Sequence, residues 1–320
     1  HSFSMNKSEI PPVLEKVIYH LDALNANPCI LAEYLNFKKA AEKFRVTLMG
    51  TGCDEMLGGY STYKANALRN VYGYAPLFLR KLMHGFSKYL PVSHNKYSFD
   101  YLAYKFTEGS IFPKEKSHYW WRTMFSEGEK SLLLNKDFFS GQKIKLDAYY
   151  IYEEYYKKVS KKMPFEDQSL YVDFNVFLAD NGNIEVDQLS MACGLEARPP
   201  FLTKRFAEFA FGIPYNLKLK NGETKHCMRQ AYRKTLPSYI VNRKKEGFLS
   251  PLNFLFEKNM NDFVCGYLFT RDMEDYFNMD YIEKMLHNQR QKKENNTYKL
   301  FTILCFSIWQ KLFLKNLNVN

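Results

Sequence analysis

Asp54 and Glu55 place two carboxylates directly behind a glycine-hinged turn, Gly50-Thr51-Gly52. Carboxylate oxygens are the hard ligands that Mg2+ takes, and glycines at Gly50 and Gly52 let backbone N–H groups come close to a phosphate. Alone, the acids would repel that phosphate; a divalent cation between them removes the conflict. A helix starting here would add unpaired N–H groups and the positive end of its dipole. The same residues also suit an ordinary strand-to-helix turn, with Asp54 as a cap and Glu55 as a solvated first-turn acid.

The neighbouring elements must hold that turn in place. Arg45 to Met49 (RVTLM) reads as a short buried strand feeding it. Upstream, Pro11-Pro12 marks a helix start, with Val13, Leu14, Val17, Ile18 and Leu21 on one face. A second amphipathic run follows Asn27-Pro28, carrying Leu31, Tyr34, Leu35, Ala41 and Phe44. Helix, helix, strand, turn and helix begin a layered α/β unit, in which ligands collect at the carboxyl ends of strands. Asp54 would stand at such an end.

Cations that could face an anion come later. Lys225 and Arg229 are four apart on a helix expected to begin near Gly222, which would send both to one side. Arg243, Lys244 and Lys245 precede the hinge Gly247, and a lysine on a hinge can swing onto charge that develops in a transition state. Taken singly, each reads first as a solvated basic face. Arg198, between Glu196 and Pro199-Pro200, is either a structural partner of Glu196 or a substrate contact.

The 320 residues, 46% apolar and 17% aromatic, suffice for a large core, in one large domain or two modest ones. A net charge of +11 without a long basic run or a nucleic-acid signature gives no ground for a nucleic-acid partner. Six scattered cysteines contain no C-x-x-C pair, which fits reduced, mostly buried thiols of a cytoplasmic protein and no zinc site. Leu300 to Leu314 is too short to span a bilayer and reads as a buried C-terminal helix, so no membrane partner is expected. Residues 60 to 180 read as largely helical, with helices at Pro76 to Tyr89, Leu146 to Val159 and Leu170 to Leu178. His287 to Tyr298 reads as a solvated loop or helix end.

In order, these pieces resemble the synthetase domain of the asparagine synthetase family. Gly50, Gly52, Asp54, Glu55, Gly58, Gly59 and Tyr60 match its G-x-G-x-D-E and G-G-Y turn. Asp187, Ser190, Met191, Glu196, Arg198, Pro200, Phe201 and Leu202 match a second motif, and Gly222, Lys225 and Arg229 a third. Arg243, Lys245, Gly247, Phe248 and Pro251 match a fourth.

The resemblance implies an α/β fold: a predominantly helical fragment of an ATP pyrophosphatase-type (adenine nucleotide alpha hydrolase-like) parallel-sheet domain. Residues 1–60 would be the remnant of the nucleotide-binding core and 61–320 a helical remainder carrying the motifs of 187–251. It implies a carbon–nitrogen ligase using ATP and Mg2+, which activates a carboxylate as an acyl-adenylate for attack by ammonia. Asp54 would be the metal ligand, Lys245 and Glu55 catalytic, and Gly50, Gly52, Lys225 and Arg243 nucleotide-binding. The family's Ser-Gly-Gly-x-Asp-Ser pyrophosphate loop and its glutaminase domain are missing here; Ser140-Gly141 is followed by Gln142-Lys143. The chain is therefore expected to start partway through the domain, to be inactive alone, and to expose a sheet edge that promotes self-association, with a homo-oligomer as one form of it. Thr51 stands where family members often carry a glutamate, and Thr203 where an aspartate is common, so the acceptor is left open between aspartate, sugar acids and ring-closing substrates. A non-catalytic scaffold that kept the fold is the competing reading.

Overall fold

The computed structural model describes residues 9–93, 98–138, 140, 145–243 and 252–314. The chain opens with α1 (Ile10–Leu21), whose first positions are Pro11 and Pro12, and α2 (Ile30–Ala41). Proline suits this place because the first N–H groups of a helix have no intrahelical acceptor. Strand β1 (Val46–Leu48) and the one-turn helix α3 (Cys53–Leu57) follow. A helical body then runs through α4 (Ser61–Tyr72), α5 (Leu77–Ser87), α6 (Phe99–Gly109), α7 (Lys114–Trp120), α8 (Glu127–Leu133), α9 (Tyr149–Lys158) and α10 (Phe165–Asp173). A π-helical stretch, Phe174–Gly182, joins α10 to α11 (Asn183–Met191).

Strand β2 (Glu196–Arg198) then returns to lie parallel to β1, pairing Val46 with Glu196 and Leu48 with Arg198. This parallel pair, reached by a long helical crossover, makes the protein a mostly helical α/β chain with a small parallel sheet. Beyond it come α12 (Lys204–Gly212), α13 (Tyr215–Lys218), the hairpin β3 (Leu219–Lys220) and β4 (Glu223–Thr224), α14 (His226–Tyr232) and α15 (Ser238–Val241). The last helices are α16 (Asn261–Leu268), α17 (Arg271–Glu274), α18 (Met279–Arg290) and α19 (Thr297–Trp309).

One core joins the two ends of the chain. Leu14, Val17, Ile18 and Leu21 of α1 and Ile30, Leu31 and Tyr34 of α2 pack with Leu300, Phe301, Leu304 and Ile308 of α19. Helix α19 is apolar on most of its circumference because neighbours cover most of it. No described helix is long and apolar enough to cross a membrane.

Three expectations need correction. The β1 strand is not buried: Leu48 is 71% exposed and Val46 is exposed too, because among the described residues β1 pairs only with β2. The stretch 287–298 is not a solvated loop. Gln289, Asn296 and Thr297 are buried in a polar joint in which Gln289 Nε2 donates to Thr297 Oγ1 at 3.0 Å and the Asn296 N–H donates to Gln289 Oε1 at 2.6 Å. No helix begins near Gly222. Asn221 (φ 51°) and Gly222 (φ 75°) form the left-handed turn of the β3–β4 hairpin, and α14 starts only at His226.

Candidate active site

The turn after β1 is built by glycines. Gly52 (φ 85°) occupies a backbone region closed to most side chains, and a Cβ there would overlap Leu202, the end of the matched P-F-L segment. Gly58 (φ 66°) closes α3, where the Gly59 N–H donates to the Asp54 carbonyl at 2.8 Å. Gly59 is required for another reason: a Cβ on it would fall on the Asp54 carboxylate and on Lys225 Cε. Gly50 has open space around its Cα and is exposed. Gly52→Ala combines a left-handed backbone with the Leu202 overlap and is expected to cost about 2 kcal/mol, read from the urea midpoint at unchanged slope. A shift under a quarter of that would show the turn to be adaptable.

Asp54 meets a cation from across the chain. Lys225 Nζ lies 2.9 Å from Asp54 Oδ1, with both side chains largely but not wholly covered. Burial disfavours the Lys225 ammonium, yet Asp54 and Cys53 together outweigh it and hold the lysine above its ordinary pKa. Lys225 itself has φ 54°, a left-handed position that turns it out of the hairpin and onto Asp54. Lys225 and Arg229 therefore do not share a role. Arg229 is a backbone clamp: Nε donates to the Thr224 carbonyl at 3.0 Å, Nη2 to the Arg243 carbonyl at 3.0 Å, and Nη1 to the Val241 carbonyl. It thereby fixes the path of the chain into Arg243, whose side chain is exposed. Lys245, with Lys244, Gly247, Phe248 and Pro251, lies outside the described residues.

Glu55 is not a solvated acid. It is 3% exposed and accepts the Tyr60 hydroxyl proton at 2.6 Å; burial raises its pKa, partly offset by that bond. The Arg122 guanidinium lies 4.8 Å from the Tyr60 ring centre and 3.9 Å from that of Phe177. Behind it is a fully buried carboxylate that the sequence reading missed. Asp173 takes Arg122 Nε at 2.9 Å and Nη2 at 2.5 Å, the Tyr63 hydroxyl at 2.7 Å, and lies 3.1 Å from His118 Nε2. Burial alone would lift its pKa, but Arg122, then His118, hold it well below the usual carboxylate range. The signal was available in part: Asp173 is the one charged residue in a mostly apolar and aromatic run, LYVDFNVFL, and an acid is rarely buried without a partner.

Helix α3, five residues long, contributes little dipole, so attraction of an anion here would rest on the exposed Gly50 and on Lys225 rather than on a helix end. The donor set suits Mg2+ in one respect. Asp54 supplies a single carboxylate at a partly open position, and Mg2+ commonly takes one or two carboxylates and completes its shell with water and phosphate oxygens. Among the described residues no group of three or more His, Cys, Asp or Glu side chains could form a closed metal cage.

The profile of the asparagine synthase family matches residues 1–311. The chain belongs to the asparagine synthase family. It is 27% identical over 300 residues to asparagine synthetase [glutamine-hydrolyzing] 1 of Bacillus subtilis (strain 168), covering 93% of this chain and 45% of that protein. A putative asparagine synthetase [glutamine-hydrolyzing] of Mycobacterium bovis is 23% identical over 313 residues, covering 98% of this chain and 46% of that one. The chain thus spans just under half the length of these family members. Within the family frame, the structure brings together two matched motifs far apart in sequence, the G-x-G-x-D-E turn and Lys225, at one contact.

Proposed function

We propose that this chain is the synthetase part of an ATP-dependent amide ligase of the asparagine synthetase type. A substrate carboxylate attacks the α-phosphorus of ATP, pyrophosphate leaves, and ammonia then displaces AMP from the acyl-adenylate to give the amide. Aspartate is the first candidate acceptor, with ammonia supplied by a glutaminase domain and the cytoplasm as the setting. The observation that carries this reading is the Asp54–Lys225 pair at 2.9 Å beside a glycine turn, open at Gly50, at the carboxyl end of a parallel strand.

In this reading Gly50 and Gly52 let the backbone approach the phosphates, and Lys225 and Arg243 supply cations to them. Asp54 would hold Mg2+, which neutralises phosphate charge when bound. Lys225 shares that carboxylate, so its ammonium would stand beside any phosphate oxygens that Asp54 faces. Lys245 would offset the charge that spreads over the phosphates as the α-phosphorus is attacked. Glu55, buried on Tyr60, would act by fixing α3 rather than by touching the acceptor, a change from the direct catalytic role the resemblance implies. That buried pairing also suits a non-catalytic scaffold, since both acids of the turn have structural partners.

The deciding measurement is ATP–pyrophosphate exchange with Mg2+ and a panel of carboxylates, on the protein with whatever its coding sequence supplies around this chain. Exchange should depend on one carboxylate and drop about a hundredfold or more in Lys245→Ala, the usual cost of losing a preorganised charge donor. A folded protein that exchanges with no carboxylate would favour the scaffold.

A further inference from the structure

Helix α5 packs inside out. Its polar side, Arg80, His84 and Ser87, faces α6: Arg80 Nη1 donates to the Ser110 carbonyl at 2.6 Å, His84 Nδ1 lies 3.3 Å from Thr107 Oγ1, and Thr107 Oγ1 donates to Ser87 Oγ at 3.0 Å. Its apolar side faces solvent, with Phe78 72%, Phe86 62% and Tyr89 87% exposed, and Leu82 and Met83 about half exposed. At about 100° per residue these side chains cover an arc of about 140°, and Lys81 and Lys88, both exposed, line one border of it. From Pro76 to Ser93 the chain carries Arg80, Lys81, His84 and Lys88 and no acid. Turning the polar side inward, with Ser87 buried and Arg80 and His84 half-buried, while the apolar side meets water is unfavourable unless something covers the apolar arc.

We propose that α5 is an interfacial helix that lays this arc on an anionic lipid bilayer. Its bulky apolar residues would enter the headgroup boundary, and Lys81 and Lys88 would reach the lipid phosphates beside it. Tyr89, just past the helix end, is of the type that sits at the headgroup level. A second copy of this chain fits less well. A twofold contact of α5 on α5 would oppose cations to cations with no acid in the segment to pair them. The net charge of +11 adds to the attraction for an anionic surface. This places nothing across the membrane and does not depend on the ligase reading.

The test is cosedimentation of the protein, with whatever its coding sequence supplies around this chain, with vesicles of phosphatidylcholine alone and of an equal mixture with phosphatidylglycerol, at low and high salt. Binding should favour the anionic vesicles, fall with salt, and weaken about tenfold or more in Lys81→Glu/Lys88→Glu, since each lysine near such a surface is worth roughly a fivefold change. Phe78→Ser/Phe86→Ser should weaken it at least as much, with unchanged circular dichroism and melting because both rings are exposed in the free protein. Absence of binding to anionic vesicles, or binding indifferent to lipid charge, would overturn the proposal. So would a wild-type oligomer that ignores vesicles and becomes monomeric in the phenylalanine variant, which would assign the arc to a second copy.

Discussion

Asp173→Ala is expected to lower the stability of this protein by about 4 kcal/mol, because removing one partner of a buried ion pair leaves the other charge without compensation. Arg122 would keep its guanidinium under the Tyr60 and Phe177 rings without its paired carboxylate, the Tyr63 hydroxyl would lose its acceptor, and His118 Nε2 would lose the carboxylate 3.1 Å away. The loss is a large share of the roughly 5–15 kcal/mol that separates folded from unfolded domains. Urea unfolding should show a lower midpoint at unchanged slope. A paired replacement, Asp173→Leu with Arg122→Met, should recover part of it, since burying two apolar side chains avoids both desolvation costs. If Asp173→Ala unfolds within about 1 kcal/mol of wild type, the network is too weak to hold Tyr60 and Glu55. The prediction therefore reaches the candidate site: the same Arg122 that pairs with Asp173 lies over Tyr60, and Tyr60 is what holds the buried Glu55.

What was legible in the sequence follows from the range over which each signal acts. Helix α1 was readable because apolar spacing at 3.6 residues is local and Pro11-Pro12 marks a start by removing N–H groups that have no acceptor there, and α19 because its apolar run is continuous yet too short for a bilayer. The burial of β1 was not, since five residues with apolar members look the same whether one or two strands flank them. The hairpin at Asn221-Gly222 was legible and overlooked: Asn-Gly between short extended pairs is the strongest sign of a two-residue turn, and it moves the helix start to His226. The Asp54–Lys225 contact joins residues 171 positions apart in number, and no periodicity reaches that far; the motifs shared with a family implied one site for both residues but not their pairing. The Asp173 network had neither periodicity nor a motif. Its members Tyr63, His118 and Arg122 lie 51 to 110 residues from Asp173, and the one clue was an acid inside an apolar run. The polar joint at Gln289 and Asn296 shows the converse, where a hydrophilic stretch is buried because its side chains satisfy each other.

Acidification from about pH 8 to about pH 5 should stabilise the protein, and Glu33→Gln should remove a measurable share of that dependence. Glu185 is buried under the loop between α1 and α2, accepting Asn25 Nδ2 at 2.8 Å and Asn27 Nδ2 at 2.7 Å. Burial raises its carboxyl to about 7 despite those bonds. Burial, then the charge of Glu185, raises Glu33 on α2 to about 7 as well, and Glu33 Oε2 has no hydrogen-bond partner. A raised acid binds its proton in the folded state at a pH where the unfolded chain has released it. Stability is therefore full below the unfolded value of 4.5 and is lost as pH climbs to the folded value near 7. Asp173 has the opposite sign: its depressed pKa gives stability above the unfolded 3.8 that is lost only in stronger acid, so the two windows do not overlap. For one such carboxyl the loss is on the order of 3 kcal/mol, part of it at Glu33 coming from the charge of Glu185. Glu33→Gln keeps the shape, removes the charge and breaks no bond to Oε2. It should raise the urea midpoint at pH 8 by an amount equivalent to about 2 kcal/mol and leave it unchanged near pH 4.5, where wild type is already protonated. Equal midpoints of the two proteins at pH 8 would mean that Glu33 ionises freely in the folded state and that the loop is latched by the asparagines alone.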